Sequence, residues 1–266
     1  MNIDNAPAVI EAVAQRHREL TSILAELDDE ATLAPSLLPG WNRLTVICHL
    51  RYGAEANLAM TRAVVAGGTA SFYPERRAVQ RPSTLGLRPG EDPGLAIRSL
   101  AAASAELDAL WASFNTENWS LRAVEPDDNP DLGPTTLGFL TLLRLTEVEV
   151  HGTDLDAGAT SWSDVFVDTA LPMRIRWLST RRTNSTASNA SVVGTWILKP
   201  HEATPFTISA TTEGISVFEG DSGDAVIAGS KRELLAFLLG RTPLATLAVS
   251  GDHDLAARFK QAFPSP

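Results

Sequence analysis

Glu147 and His151 stand four residues apart near the middle of the chain, in the stretch Arg144-Leu-Thr-Glu-Val-Glu-Val-His-Gly-Thr-Asp154. On a helix that spacing puts a carboxylate and an imidazole on one face, one turn apart. Such a pair can fill two positions around a divalent cation. A third ligand has to come from another segment, and His49 is the candidate. Glu147 follows Leu137, Leu140 and Leu143 along a largely apolar face. A lone carboxylate there is costly to bury, so it needs a partner or a metal. Without a metal, the same spacing describes a solvated or capped helix end. Two histidines and one carboxylate leave at least one coordination position open, the pattern of a catalytic zinc site. Non-haem iron uses the same set. Zn²⁺ is preferred only because no other feature argues for redox chemistry.

An open divalent cation activates water or binds a thiolate. Cys48, the sole cysteine, points away from the face of His49 and reads as a packing residue. A thiol nucleophile therefore has to arrive as a cosubstrate. The residues alone leave metal-assisted hydrolysis and metal–thiolate addition equally open. There is no Gly-rich phosphate loop and no Gly-x-Ser-x-Gly elbow. The remaining histidines have plain readings: His17 as an exposed residue of the first helix, His201 in a turn beside Pro200, and His253 beside Asp252 and Asp254 near a helix start. Arg241 follows a helix C-terminus, where it can cap carbonyls or bind an anion.

The elements that must position these groups follow from the patterning. The 266 residues are 44% hydrophobic and 20% charged, the composition of an ordinary globular chain of one large or two modest domains. A net charge of -10 argues against a nucleic-acid-binding face. No apolar run is long enough to span a membrane, the N-terminus does not read as a signal peptide, and one cysteine permits no internal disulfide. The expectation is a cytoplasmic protein. Helical periodicity covers 6–28, about 42–66 with Asn42 as cap, 93–114, a fourth helix capped by Thr135 or Thr136 that carries Glu147 and His151, and 162–182. Residues 69–92 read either as a surface connection or as a loop over a site. Residues 115–134 read as another loop, and 181–190 as a polar linker. The pattern then changes to short β segments at 192–198, 206–210, 215–218 and 225–228, a helix at 231–239, a strand at 247–250 and a closing helix from Asp252. The fold class is therefore α+β: a helical bundle over 1–182, then a small α+β domain over 191–266. In an antiparallel bundle, inward His49, Glu147 and His151 from facing helices can converge on a core metal.

These residues also carry a resemblance. Leu38-Pro-Gly-Trp41, followed eight residues later by His49, resembles the start of the mycothiol-dependent maleylpyruvate isomerase family, within the DinB-like four-helix superfamily. Arg144-x-x-Glu-Val-Glu-Val-His151-x-x-Asp-Leu155 matches its second motif, and the segment from Gly229 through Arg241 to Asp252 is similar to a sterol-carrier-like domain often fused to it. The resemblance implies that His49, Glu147 and His151 bind a divalent metal, usually zinc, and that mycothiol is the cosubstrate thiol. It also implicates an arginine of the C-terminal domain in activity, and Arg241 is the best match. Asn42-Arg43-Leu44 and Arg51-Tyr52-Gly53-Ala54 depart from the family's usual Thr-Arg-Gly and Arg-Asn-Ala. The expected function is a metal-dependent mycothiol S-transferase acting on an electrophilic small molecule, as in antibiotic (lincosamide-type) biosynthesis. The alternatives are maleylpyruvate isomerisation and thiol-independent metal hydrolysis.

Overall fold

The computed structural model describes residues 6–124, 134–179 and 192–265, and its contacts divide the chain into two units, Met1–Phe166 and Val167–Pro266. In the first unit the chain forms α1 (Ala6–Ala25), α2 (Asp29–Leu33), α3 (Arg43–Val65), α4 (Arg77–Thr84), α5 (Pro93–Ala112), α6 (Thr116–Trp119), β1 (Arg122–Val124), β2 (Pro134–Thr136) and α7 (Leu137–Asp154). The helix α8 (Asp164–Trp177) begins in this unit and continues into the second.

Four long helices make the body of the first unit, with α1 and α3 each packed against both α5 and α7. Their apolar stripes supply the core: Val13 and Leu24 from α1, Ile47 and Met60 from α3, Leu107 and Trp111 from α5, Leu140 and Leu145 from α7 are all buried. Each such side chain contributes about 1.5–3 kcal/mol by leaving water. Two helix starts are capped where the sequence predicts, at Asn42 and Thr136, and a third is capped by Asp92. Asn42 Oδ1 accepts from Thr45 N at 2.9 Å, Asp92 Oδ1 from Leu95 N at 2.6 Å and Thr136 Oγ1 from Phe139 N at 3.3 Å. A cap of this kind is worth about 1 kcal/mol.

Three local features differ from the periodicity reading. The first helix stops at Ala25, because Asp28 caps a separate short helix, accepting from Ala31 N at 2.8 Å. The irregular stretch 69–92 contains α4. The loop 115–134 contains α6, started by an Asn115/Asn118 capping box, and β1, which pairs antiparallel with β2. Strands of three residues are too short for alternation to register. The polar stretch 181–190 and the expected domain ends at 182 and 191 lie outside the described residues.

The second unit holds a five-stranded sheet in the order β5-β4-β3-β6-β7, from β3 (Gly194–Pro200), β4 (Phe206–Ala210), β5 (Ile215–Glu219), β6 (Ala225–Gly229) and β7 (Ala248–Gly251). Strands β3 and β6 are parallel and the other pairs antiparallel. The sheet is accompanied by α9 (Lys231–Leu238), α10 (His253–Ala257) and α11 (Phe259–Ala262). Trp196 on β3 is wholly buried against Phe259 and Phe263, and its indole N–H donates to Leu255 O at 2.9 Å. No helix among the described residues is long and apolar enough to cross a membrane.

Candidate metal centre

The approach of α3 to the end of α7 is set by the turn before α3. Gly40 takes a left-handed conformation, φ 78°, which glycine adopts without a Cβ penalty. Ser36 N and Oγ both donate to Trp41 O, at 3.1 and 2.8 Å. Leu37 N donates to Asp154 O at 2.8 Å, so the turn is tied to the last residue of α7. Arg43 then joins three segments: Nε donates to Leu155 O at 2.9 Å, Nη1 to Ala31 O at 3.0 Å, and Nη2 to Asp156 O. These bonds hold Trp41 and the first turns of α3, which carry His49, against the C-terminal turns of α7.

Within that frame His49, Glu147 and His151 meet, with one potential ligand atom from each lying within 4.8 Å of the others. Glu147 Oε2 is 2.8 Å from His49 Nε2 and 3.5 Å from His151 Nε2. The two imidazoles are nearly perpendicular, at 86°, with centroids 4.9 Å apart. His151 Nδ1 is 2.9 Å from Asp154 Oδ2, and Asp154 is almost fully buried. That carboxylate holds the proton on Nδ1 and leaves the Nε2 lone pair facing Glu147, as a metal-binding imidazole requires. The side chains of His49 and His151 retain 10% and 17% of their exposure, whereas Glu147 retains 41%. The histidines therefore form a sheltered floor and the carboxylate stands on the open side.

The charge states suit a cation. Burial lowers the His49 imidazole below its ordinary value, outweighing the pull of Glu147 in the other direction. For Glu147, burial alone raises the carboxyl. The His49 hydrogen bond leads the opposing effects, with the Arg144 charge among them, and together they hold it well below the usual carboxylate range. A neutral imidazole and an ionised carboxylate are the forms in which these groups bind metal. Trp41 walls one side, its ring centroid 5.7 Å from that of His49 and 6.4 Å from that of His151.

Beneath Glu147 lies a buried network that the sequence reading missed. His17, expected at the surface, is only 4% exposed. Its Nε2 accepts from Arg144 Nε at 3.0 Å and its Nδ1 donates to Asp108 Oδ1 at 2.8 Å. Burial, and then the Arg144 charge, lower the His17 imidazole to about 4, so it stays neutral. Arg144 Nη1 donates to Leu50 O at 3.0 Å, passing where a Cβ on Gly53 would lie 3.0 Å from it. Arg144 Nη2 has no hydrogen-bond partner among the described residues. Burial lowers this guanidinium to about 10, which leaves it charged at neutral pH. The alternation Glu147-Val-Glu149 separates two roles. Glu149 turns inward, where Arg16 Nε donates to it at 2.9 Å and Ser163 N at 3.2 Å, while Glu147 meets the imidazoles. The spacing of His151 and Asp154, three residues apart on one helix, was the one sequence signal for the supporting carboxylate. Nothing local marked His17, because its partners lie on α5 and α7.

Cys48 is fully buried, and burial raises its thiol, which fits a packing role. His201 and His253 are exposed in the second unit. Arg241 also belongs to that unit. Its Nη1 donates to Leu239 O at 2.8 Å, just past α9, and it borders an open pocket of about 520 Å³ with Phe237 and Lys260.

Residues 13–156, which hold His17, His49, Arg144, Glu147, His151 and Asp154, match the sequence profile of the mycothiol maleylpyruvate isomerase N-terminal domain. Two solved structures share the fold of the whole chain. One is described as the mycothiol-dependent maleylpyruvate isomerase, at a TM-score of 0.67, 18% identity and 95% coverage of each chain. The other is a single-residue mutant of that enzyme, at 0.67, 17% and again 95% of each chain. No curated protein sequence matches.

Proposed function

The chain belongs to the mycothiol maleylpyruvate isomerase family through residues 13–156, and from that membership and the geometry of its bundle we propose that it is a metal-dependent enzyme using mycothiol as its thiol. The observation that carries the reading is the convergence of His49 Nε2 and His151 Nε2 on one carboxylate oxygen of Glu147, with Asp154 behind His151. His49, Glu147 and His151 are the proposed ligands, and zinc the proposed metal. When bound, such a cation supplies an open coordination position and enough positive charge to deprotonate a thiol near neutral pH. The chain's own part is to disfavour the charged form of the His49 imidazole, to keep Glu147 ionised above Arg144, and to wall the site with the Trp41 ring.

The proposed net reaction is S-transfer. The mycothiol sulfur supplies an electron pair to an electrophilic carbon of a small molecule, a C–S bond forms, and the leaving group departs with its bonding pair. Antibiotic assembly of the lincosamide type is one setting for such an exchange. The family and the structural neighbours favour a second reading by name, cis–trans isomerisation. There the sulfur adds to a conjugated double bond, the adjacent carbonyl takes up the π electrons, the carbon–carbon bond rotates, and expulsion of the thiolate restores the double bond. Arg241 is the proposed arginine of the second unit that acts in the reaction. Substituting it with Gln is expected to lower kcat at least tenfold (about 1.4 kcal/mol) with an unchanged Tm.

The deciding experiment is metal analysis of the purified protein combined with turnover of maleylpyruvate and other electrophiles, with and without mycothiol. One divalent ion per chain and strict thiol dependence are expected. Turnover without thiol would replace this reading with a hydrolase, and absence of metal uptake would remove it.

A further inference from the structure

One arginine of the bundle lies beside the ring that flanks the two candidate histidines. Arg81 lies on α4, in the stretch 69–92. Its guanidinium carbon is 5.9 Å from the centroid of the Trp41 ring, the same ring that flanks His49 and His151. Nη1 of Arg81 donates to the Tyr73 hydroxyl at 3.4 Å. Tyr73 is held in turn: it stacks on Tyr52 at 5.2 Å and 16°, and the Tyr52 hydroxyl donates to Phe72 O. Tyr52 follows His49 by three residues on α3, so one helix carries both the metal-ligand candidate and the clamp that brings the Arg81 segment to it.

Five arginines of the first unit show the usual alternative. Arg16, Arg18, Arg51, Arg62 and Arg88 each reach a carboxylate. Arg43 donates to three carbonyls, one from each guanidinium nitrogen. Among the described residues Arg81 reaches no carboxylate. It is half-buried, with a phenol and an indole face as its neighbours. A partly desolvated cation without a counter-charge is unfavourable unless an anion completes it. The planar fork of a guanidinium matches a carboxylate in two parallel hydrogen bonds.

We propose that Arg81 is the anion-recognition residue of this site, holding a carboxylate of the electrophilic substrate while Tyr73 and Trp41 fix the plane of its guanidinium. The inference rests on the metal and thiol reading above and deepens it by naming the residue of this chain that holds the charged end of the substrate. Arg81 sets specificity, and the reacting carbon lies between it and the imidazole floor.

The test is calorimetric titration of the divalent-metal-loaded protein with maleate, and with the neutral diamide of maleic acid as comparator. Wild type is compared with Arg81→Gln, Arg81→Lys and, as control, Arg62→Gln, whose exposed arginine pairs with Glu106. Metal content and Tm are measured on every variant. Arg81→Gln is expected to weaken maleate by about tenfold or more, consistent with the loss of a charge-assisted pair. It should leave the diamide, the metal content and the Tm unchanged. Arg81→Lys is expected to retain part of the maleate affinity, and Arg62→Gln all of it. Maleate affinity that is absent in wild type, or equal in wild type and Arg81→Gln, overturns the proposal. A wild-type protein that takes up no metal overturns the metal reading instead, and the same maleate comparison on metal-free protein still decides the role of Arg81.

Discussion

Asp154 Oδ2 lies 2.9 Å from His151 Nδ1, three residues back along α7, and the buried carboxylate dictates which imidazole nitrogen faces Glu147. The same residue's carbonyl accepts from Leu37 N, so one position couples the ring of His151 to the turn that delivers Trp41. Asp154→Asn keeps the shape and loses the charge. It is expected to weaken divalent-metal affinity by about 10- to 100-fold, the usual cost of losing a carboxylate behind a ligating histidine. Competition with a chromogenic chelator measures it, and an affinity equal to wild type would remove Asp154 from the centre.

Single removal of a ligand should cost more. His49→Ala, Glu147→Gln and His151→Ala are each expected to lower metal affinity by more than about 100-fold, beyond the effect of a supporting group. Glu149→Gln, two positions from Glu147 but paired with Arg16, should retain metal while losing stability. Metal retention after dialysis, set beside thermal unfolding, separates the two glutamates. Full retention in the Glu147 variant would assign it a structural role instead.

The buried His17 predicts an acid-sensitive fold. Its folded-state value of about 4 lies below the ordinary 6.5, so protonation favours the unfolded chain. The stability it contributes is complete above about pH 6.5 and is lost as the pH falls toward 4. The loss amounts to about 3 kcal/mol at the lower end. Urea unfolding at intervals between those pH values should show the slope in wild type. His17→Gln should be less stable at neutral pH yet have a shallower pH dependence, and an equally steep slope in that variant would refute the assignment.

Arg16 and Glu149 form a buried pair, with side chains 5% and 1% exposed. Arg16→Met leaves Glu149 charged and without its partner, which is expected to cost about 3–5 kcal/mol. Adding Glu149→Leu removes the orphaned charge and should recover part of that loss. Urea midpoints of the single and double variants measure the coupling. A double variant less stable than Arg16→Met would show the pair to be net stabilising in itself.

Much of the fold was legible because it depends on neighbours in sequence. The helices follow from apolar residues recurring every three or four positions, and two of their starts from Asn42 and Thr136, whose side chains cap residues three positions on. The short strands of the second unit follow from alternation between glycine-rich turns. What went unread was of two kinds. Segments such as α6 and the β1–β2 pair are shorter than any period that patterning can detect. Polar residues such as His17 and Arg144 look like surface residues in sequence, yet they are buried because partners on other helices satisfy them.

By itself the sequence determined the pair proposed as ligands. Glu147 and His151 share a helix face through the 3.6-residue turn alone, and Asp154 joins them through the same period. Whether His49 would meet that pair, and from which side, was decided by tertiary structure. The turn at Gly40 and the three carbonyls bound by Arg43 set α3 against the end of α7, and no local rule states that relation. Tertiary structure likewise separated Glu147 from Glu149, sending one to the imidazoles and the other to Arg16. It also brought Arg81 to Trp41 from a stretch that read as surface loop or site cover alike. Spacing along one helix is covalent geometry, whereas convergence between elements is set by packing and by buried hydrogen bonds that only the folded chain can satisfy.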